Sequence, residues 1–257
     1  MNEIVQKVRA QEPLIHNLTN AVVMNFSANG LLAFGASPIM ANAKEDAADV
    51  AKLSNGVLIN IGTLTEAQLE AMIEAGKAAN EAGIPVVIDP VGVAATNFRT
   101  EAFQRIVEQV HPDVIKGNAG ELAHLVGIEL ETKGVDAVGE GNSQEIAGKV
   151  AVHFQTIAVL TGKVDTVSDG KQTLTNETGH ALLSKVTGAG CLLGSIITAC
   201  LSVEGENLEK AYAAVKYYGM AAAYAASQSG VNGPGTFLPQ FLDALTMEPD
   251  TLEKGLM

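Results

Sequence analysis

Short apolar runs bounded by turn residues alternate along the chain with stretches whose apolar positions recur at helical spacing. Val57-Leu58-Ile59-Asn60-Ile61 reads as a buried strand. Thr65 follows as a helix N-cap, with Gln68 placed to complete a capping box. Leu69, Met72, Ile73, Ala75 and Ala79 form one apolar stripe, and Gly83 ends that helix. Pro85–Asp89, Asp113–Lys116 and Thr156–Thr161 read as further strands. A helix is predicted over Glu101–Gln109, and another, capped through Asn142 and Glu145, reaches Phe154. Ser168-Asp169-Gly170-Lys171 reads as a hairpin turn joining two short strands at a sheet edge. After Gly190 the chain reads as helical over Cys191–Val203, Leu208–Ser227, and an amphipathic segment from about Thr236.

Near-continuous apolar strands of this kind belong to parallel sheets covered on both faces. With helices between them the pattern is repeated βαβ, which predicts an α/β protein. The 257 residues are 47% hydrophobic, which argues for a large core and against disorder. A single domain over residues 1–257 is expected, because α/β folds often run to about 250 residues as one unit. The Leu208–Ser227 helix is rich in alanine and glycine, and tight internal packing is the favoured reading over a subunit interface.

Charge removes whole classes of partner. Sixteen basic against 29 acidic residues leave a net charge of −13, which repels nucleic acid and anionic membranes. No apolar run approaches the roughly 18 residues a membrane helix needs, and the first residues lack the apolar core of a signal peptide. The two cysteines, Cys191 and Cys200, fall on one apolar run, which excludes a disulfide scaffold and fits a reducing cytoplasm.

Val186-Thr187-Gly188-Ala189-Gly190-Cys191 is the strongest local signal for chemistry. Its glycines permit close backbone approach to a ligand, and the helix that follows offers free N–H groups and a positive dipole end to an anion. A loop that merely packs tightly is the other reading. It is neither a Walker loop nor a dinucleotide fingerprint. Asp89 closes its strand where ligands of open α/β sheets bind, although a cap or turn role is equally open to an aspartate. Lys116-Gly117-Asn118-Ala119-Gly120-Glu121 also follows a strand directly. Asn118 and Glu121 suit a capping box, and Glu121 equally suits the water shell of Mg²⁺, with Lys116 a point charge for phosphate. Thr161-Gly162 repeats the strand-end-plus-glycine pattern.

These residues bring the chain to a resemblance. Asn118 and Glu121, followed later by Thr187-Gly188-Ala189-Gly190, resemble the ribokinase-like superfamily. The closer resemblance is to the hydroxyethylthiazole kinases. It rests on His16-Asn17-Leu18-Thr19-Asn20, Asn25, Gly35–Ala41, Val87–Gly92 and Val186–Cys191 in order, and spans Leu14–Gln240. It implies a three-layer α/β fold with a mostly parallel sheet and no separate lid domain. It also implies transfer of phosphate from ATP, with Mg²⁺, to the hydroxyl of 4-methyl-5-(2-hydroxyethyl)thiazole. Residue by residue, Met40, Asn25 and Gly188 would face the thiazole alcohol. Lys116, Thr161, Thr187, Ala189 and Gly190 would bind ATP, Asp89 and Glu121 would stand near the metal, and Cys191 would be catalytic. A homotrimer with active sites shared between subunits is implied too.

Two departures from the wider superfamily bear on this. Cys191 stands where most ribokinase-like enzymes carry a catalytic Asp, in agreement with the thiazole kinases. Lys116 stands where related sequences can have Arg, so the contact loses the bidentate fork. At a helix N-terminus the Cys191 thiol is expected to shift toward thiolate. Cys200 and Met24 read as core, His16 as a structural hydrogen-bonding residue, and Glu45-Asp46 as a solvated helix start. His124, His153 and His180 form no constellation. Two rival functions are a nucleotide-dependent lyase of the same fold, acting on hydrated nicotinamide nucleotides, and a binding protein without turnover. Cys191 counts against the first, and the retained Asp89, Asn118, Glu121 and loop count against the second.

Overall fold

The computed structural model describes residues 1–130 and 140–256. In chain order the elements are α1 (Asn2–Gln11), β1 (Leu14–Leu18), α2 (Met24–Phe34), β2 (Ser37–Ile39), α3 (Lys44–Leu53), β3 (Gly56–Asn60), α4 (Glu66–Ala82), β4 (Val86–Asp89), α5 (Asn97–Val107), β5 (Val114–Asn118) and α6 (Ala119–Leu125). They continue as α7 (Glu140–Phe154), β6 (Ile157–Thr161), β7 (Asp165–Ser168), β8 (Thr173–Asn176), a 3₁₀ turn (Ala181–Lys185), α8 (Ala189–Leu201), α9 (Asn207–Ser227), α10 (Pro234–Ala244) and α11 (Pro249–Leu256).

The strands form one sheet in the order β2-β1-β3-β4-β5-β6-β7-β8. β1 to β6 are parallel, and β7 and β8 extend the edge antiparallel. The apolar strands are explained by two cores, because alternate side chains point to opposite faces. Leu58, Val87, Val114 and Val159 enter one core with α1, α2 and α8–α11. Val57, Ile59, Ile88, Ile115 and Leu160 enter the other with α3–α7. The result is three layers, α/β/α.

Local signals explain most boundaries. Thr65 and Gln68 form the expected capping box of α4. Gly83, in the left-handed region at φ 68°, ends that helix. The helix expected from Glu101 starts earlier, at Asn97, because the Thr96 side chain caps it by accepting from Arg99 N–H. Asn142 lies inside α7, which is already helical at Glu140, so it is not the cap. His16 sits in the middle of β1, ahead of α2. The terminal helical segment is two helices, α10 and α11, not one. Most of the small residues of α9 are buried, the internal packing that the sequence favoured.

Candidate active site

All the parallel strands except β2, which ends at Ile39, end in or run into polar groups on one side of the sheet. Asn20 follows β1; Asn60, Asp89, Asn118 and Thr161 close β3, β4, β5 and β6. Asn60 lies in register with Asp89, and Asn118 with Thr161. β2 and β3 flank β1, so the chain reverses its winding there, and such a switch point opens a crevice at the carboxyl ends of the strands.

The glycine loop closes over this crevice. Gly188 is the N-cap of α8 and sits at φ 85°, a left-handed conformation that L side chains rarely adopt. A Cβ there would also collide with Val23 of the turn before α2. The first bond into the helix runs from Leu192 N–H to the Gly188 carbonyl, 2.9 Å. The amides of Gly190 and Cys191 precede it and have no acceptor within the helix. Tyr218 of α9 donates to the Ala189 carbonyl at 2.6 Å and ties the loop to the core. Gly190 is exposed, and a Cβ on it would lie 3.7 Å from Lys116 Nζ. The lysine therefore comes up beneath the loop from β5.

Beneath the loop lies a buried polar chain. Lys116 Nζ pairs with Asp89 Oδ2 at 3.0 Å, both side chains almost wholly buried. Asn60 Nδ2 donates to the same oxygen at 2.8 Å. Asp89 Oδ1 is buried without a partner. Asn60 Oδ1 accepts from Gly62 N–H and from Asn20 Nδ2, each at 3.0 Å. Asn20 Nδ2 also reaches Cys191 Sγ at 3.4 Å.

Burial dominates the electrostatics here. It pushes the Asp89 carboxyl up to about 6, against the pull of Lys116, with Glu121 adding to the rise. Lys116 is pulled down by its burial, but the charges of Asp89, Cys191 and Glu121 outweigh that and hold it above its ordinary value. The Cys191 thiol rises, from burial first and the Asp89 charge second, with Lys116, Asn60 and Asn20 opposing. This corrects the expected shift toward thiolate: desolvation exceeds what a helix terminus supplies.

Glu121 caps as the sequence suggested. Asn118 Oδ1 accepts from Glu121 N–H at 2.9 Å, and Glu121 Oε2 accepts from Asn118 N–H at 2.8 Å. Its Oε1 accepts from Gly92 N–H at 2.8 Å, so this carboxylate also fastens the loop after β4. Thr161 Oγ1 donates to the Gly117 carbonyl at 3.3 Å, and Asp165 Oδ1 accepts from Gly162 N–H at 3.0 Å. Arg99 donates to the carbonyls of Ile61, Val91 and Gly62 and so braces the loops after β3 and β4.

The structure thus brings Asp89, Lys116, Gly188, Ala189, Gly190 and Cys191 together, with Glu121, Thr161 and exposed Thr187 along the same rim. It does not join Met40 or Asn25 to this network. Met40 is half-buried just past β2. Asn25 is exposed on α2, where its carbonyl and side-chain oxygens accept from Asn29. His16 makes the expected structural bond, Nε2 to the Ala41 carbonyl at 2.8 Å. Cys200 is fully buried. Among the described residues no three His, Cys, Asp or Glu groups gather as a metal cage, and no helix is long and apolar enough to cross a membrane. Asn60, which the structure places in this buried polar chain, was not singled out in the sequence. Its signal was present: one amide at the end of an otherwise apolar strand.

This sheet order, with a glycine loop opening α8 above the strand ends, is the ribokinase-like arrangement. A ribokinase-like superfamily protein of Enterococcus faecalis superposes with a TM-score of 0.67 over 99% of this chain and 95% of its own, at 13% identity, a likeness of fold. The chain belongs to the hydroxyethylthiazole kinase family, whose profile matches residues 5–249. It is 55% identical to hydroxyethylthiazole kinase 1 of Oceanobacillus iheyensis, over 98% of each chain. The hydroxyethylthiazole kinase structure from Pyrococcus horikoshii OT3 matches with a TM-score of 0.90 at 39% identity, covering 98% of this chain and 95% of that one.

Proposed function

We infer that this protein transfers the γ-phosphoryl group of ATP to the primary hydroxyl of 4-methyl-5-(2-hydroxyethyl)thiazole. The observation that carries this reading is the full-length likeness to a hydroxyethylthiazole kinase at 55% identity. The alcohol oxygen forms a bond to the γ-phosphorus as the bond to the bridging oxygen breaks; ADP leaves with that electron pair. Such a reaction needs positioning and charge neutralisation more than covalent catalysis. The loop amides at Gly188, Gly190 and Cys191 face the transferring group in this reading, Ala189 lines the same loop with its amide on the Val186 carbonyl at 3.4 Å, and Lys116 adds a fixed positive charge from below. Thr161 and Thr187 flank the nucleotide. Cys191 Sγ holds the hydroxyl in line as the alcohol attacks, and takes its proton only when the sulfur is thiolate; otherwise the proton passes to an oxygen of the transferred phosphoryl group.

The residues present fit Mg²⁺ in one particular way. Asp89 Oδ1 is an unpartnered buried acceptor, whereas both Glu121 oxygens already hold backbone amides. Two carboxylates of this kind suit an ion held largely through water and phosphate oxygens. When bound, the ion would neutralise phosphate charge.

The assembly we favour is a homotrimer in which the Asn25–Met40 region completes a neighbour's thiazole pocket. Supporting it, Leu32 is 59% exposed on the α2 face that also carries Asn25, Val22 in the turn before α2 is 66% exposed, and neighbouring Val23 packs on Gly188. One domain over the whole chain and a cytoplasmic location complete the reading. The test is ADP release from ATP in the presence and absence of the thiazole alcohol. Alcohol-dependent release of ADP is expected; release that ignores the alcohol, or none, refutes the activity.

A further inference from the structure

We propose that Asn60 is a positioning residue whose single amide group orients the carboxylate of Asp89 and, through Asn20, the sulfur of Cys191. The proposal rests on the kinase reading above, because it gives Asn60 a part in that reaction.

Asn60 is the last residue of β3 and is 1% exposed. An amide buried so deeply is costly unless its donors and acceptor are used. Its orientation is forced. Gly62 N–H can only donate, so the oxygen of Asn60 must face it, and the nitrogen is left for Asp89. Because that oxygen is an acceptor, Asn20 must present its nitrogen, whose other hydrogen is directed to Cys191 Sγ. The sulfur thus receives an N–H from one side, and its remaining lone pair and proton are free to meet an alcohol on the other. At the far end, Asn60 and Lys116 both load Oδ2 of Asp89, which leaves Oδ1 without a partner. One amide therefore decides which carboxylate oxygen is committed and which faces the crevice. Asn60 acts through Asp89 and Asn20, not on the substrates themselves.

The competing possibility is that Asn60 only fills the core. Full-length wild type, Asn60→Leu, Asn60→Asp, Cys191→Ala and Asn60→Leu with Cys191→Ala are compared by kcat and by KM for ATP and the thiazole alcohol. Asn60→Leu is expected to lower kcat by at least about tenfold and to leave both KM values within about threefold. In the Cys191→Ala background the same change should cost clearly less than in wild type, because the arm through Asn20 to the sulfur is already lost while the arm to Asp89 remains. Asn60→Asp keeps the acceptors for Gly62 and Asn20 but turns an oxygen toward Asp89, and is also expected to lower kcat at least about tenfold. Should Asn60→Leu fail to fold, Asn60→Asp decides alone. A kcat within about twofold of wild type for Asn60→Asp, losses confined to KM, or losses that multiply with Cys191→Ala overturn the proposal. Wild type without alcohol-dependent turnover refutes the kinase reading and takes this role with it, whereas an active wild type matched by the Asn60 variants overturns the role alone.

Discussion

Removing one charge of the Asp89–Lys116 pair is predicted to cost very different amounts, depending on which charge is removed. Burial holds the Asp89 carboxyl at about 6 against 3.8 for the ordinary group. At pH 7 its ionised form already costs the fold about 3 kcal/mol, at roughly 1.4 kcal/mol per unit. In Lys116→Met the carboxyl can escape by taking a proton. Holding it neutral at pH 7 costs about 4 kcal/mol in all, so the further loss is only about 1 kcal/mol. Asp89→Asn instead strands a buried ammonium whose ordinary value is 10.5. Its escape by deprotonation costs up to about 5 kcal/mol at pH 7, so a loss of about 3–5 kcal/mol is expected. The pH dependence carries a sign. A raised carboxyl contributes stability that is present below its unfolded value and lost as pH rises to its folded value. Wild type completes that loss near pH 6; Lys116→Met continues to lose until its own higher value. The gap between them should open above pH 6 and widen by at most about 1.4 kcal/mol per unit. Lys116 titrates above this window and leaves the sign unchanged. Urea melts at pH 6, 7 and 8, at one protein concentration, measure both effects. Equal penalties for the two variants at pH 7, or a Lys116→Met penalty that stays flat from pH 6 to 8, would refute the reasoning.

Other predictions follow from the same site. Gly188→Ala must adopt φ 85° and displace Val23, so a loss of about 2 kcal/mol or more is expected in melts, with turnover falling alongside. Glu121→Ala frees the amides of Gly92 and Asn118; it should cost about 1–2 kcal/mol and raise the Mg²⁺ concentration needed for half-maximal turnover, and an unchanged Mg²⁺ requirement would remove Glu121 from the metal's surroundings. Cys191→Ala should lose about 10²–10⁴-fold in kcat while still binding ATP, whereas Cys191→Asp should keep substantial activity; an Ala variant as fast as wild type would reduce Cys191 to packing. Light scattering should give three chains per particle, and a fully active monomer would sink the shared-site reading.

The sheet from β3 to β6 was legible because its strands are buried on both faces and their side chains announce it. The loop and strand ends were legible for a different reason: glycine, aspartate and lysine interrupt apolar runs where a ligand is expected. Of the first five elements, the start of α3 at Glu45-Asp46 was read, but the strands β1 and β2 were not. β1 carries His16 and Asn17 in its middle, both buried, and Asn17 is satisfied by Ser195 of α8 across the sheet face. That partner lies far away in sequence, so local periodicity contains no trace of it. The lone amide of Asn60 was visible at the end of its apolar strand, but its partners were not, since Asp89, Asn20 and Gly62 meet it only after the sheet is assembled. The shift at Cys191 was misjudged because a helix start is a local feature, whereas burial belongs to the whole fold.

That misjudgement bears on why a thiol stands at this position. A helix terminus is worth about 0.3–1 kcal/mol to an anion near the surface. Cys191 is only 9% exposed and has a buried carboxylate nearby, so desolvation and like charge dominate. A carboxylate in its place would put a second negative charge beside Asp89, whose own ionisation burial already opposes. The thiol meets the alcohol without adding that charge. Because the phosphoryl-transfer transition state is loose, the hydroxyl proton need not leave before attack. A neutral thiol, fixed by the Asn20 N–H, can orient the alcohol first, and the hydroxyl proton then leaves late onto an oxygen of the transferred phosphoryl group. Cys191→Asp should therefore be active yet less stable than wild type at neutral pH, with the stability difference shrinking as the pH falls and the added carboxyl takes a proton. An Asp variant as stable as wild type at pH 7 would mean that the site tolerates a second charge and that the thiol's neutrality is not what it supplies.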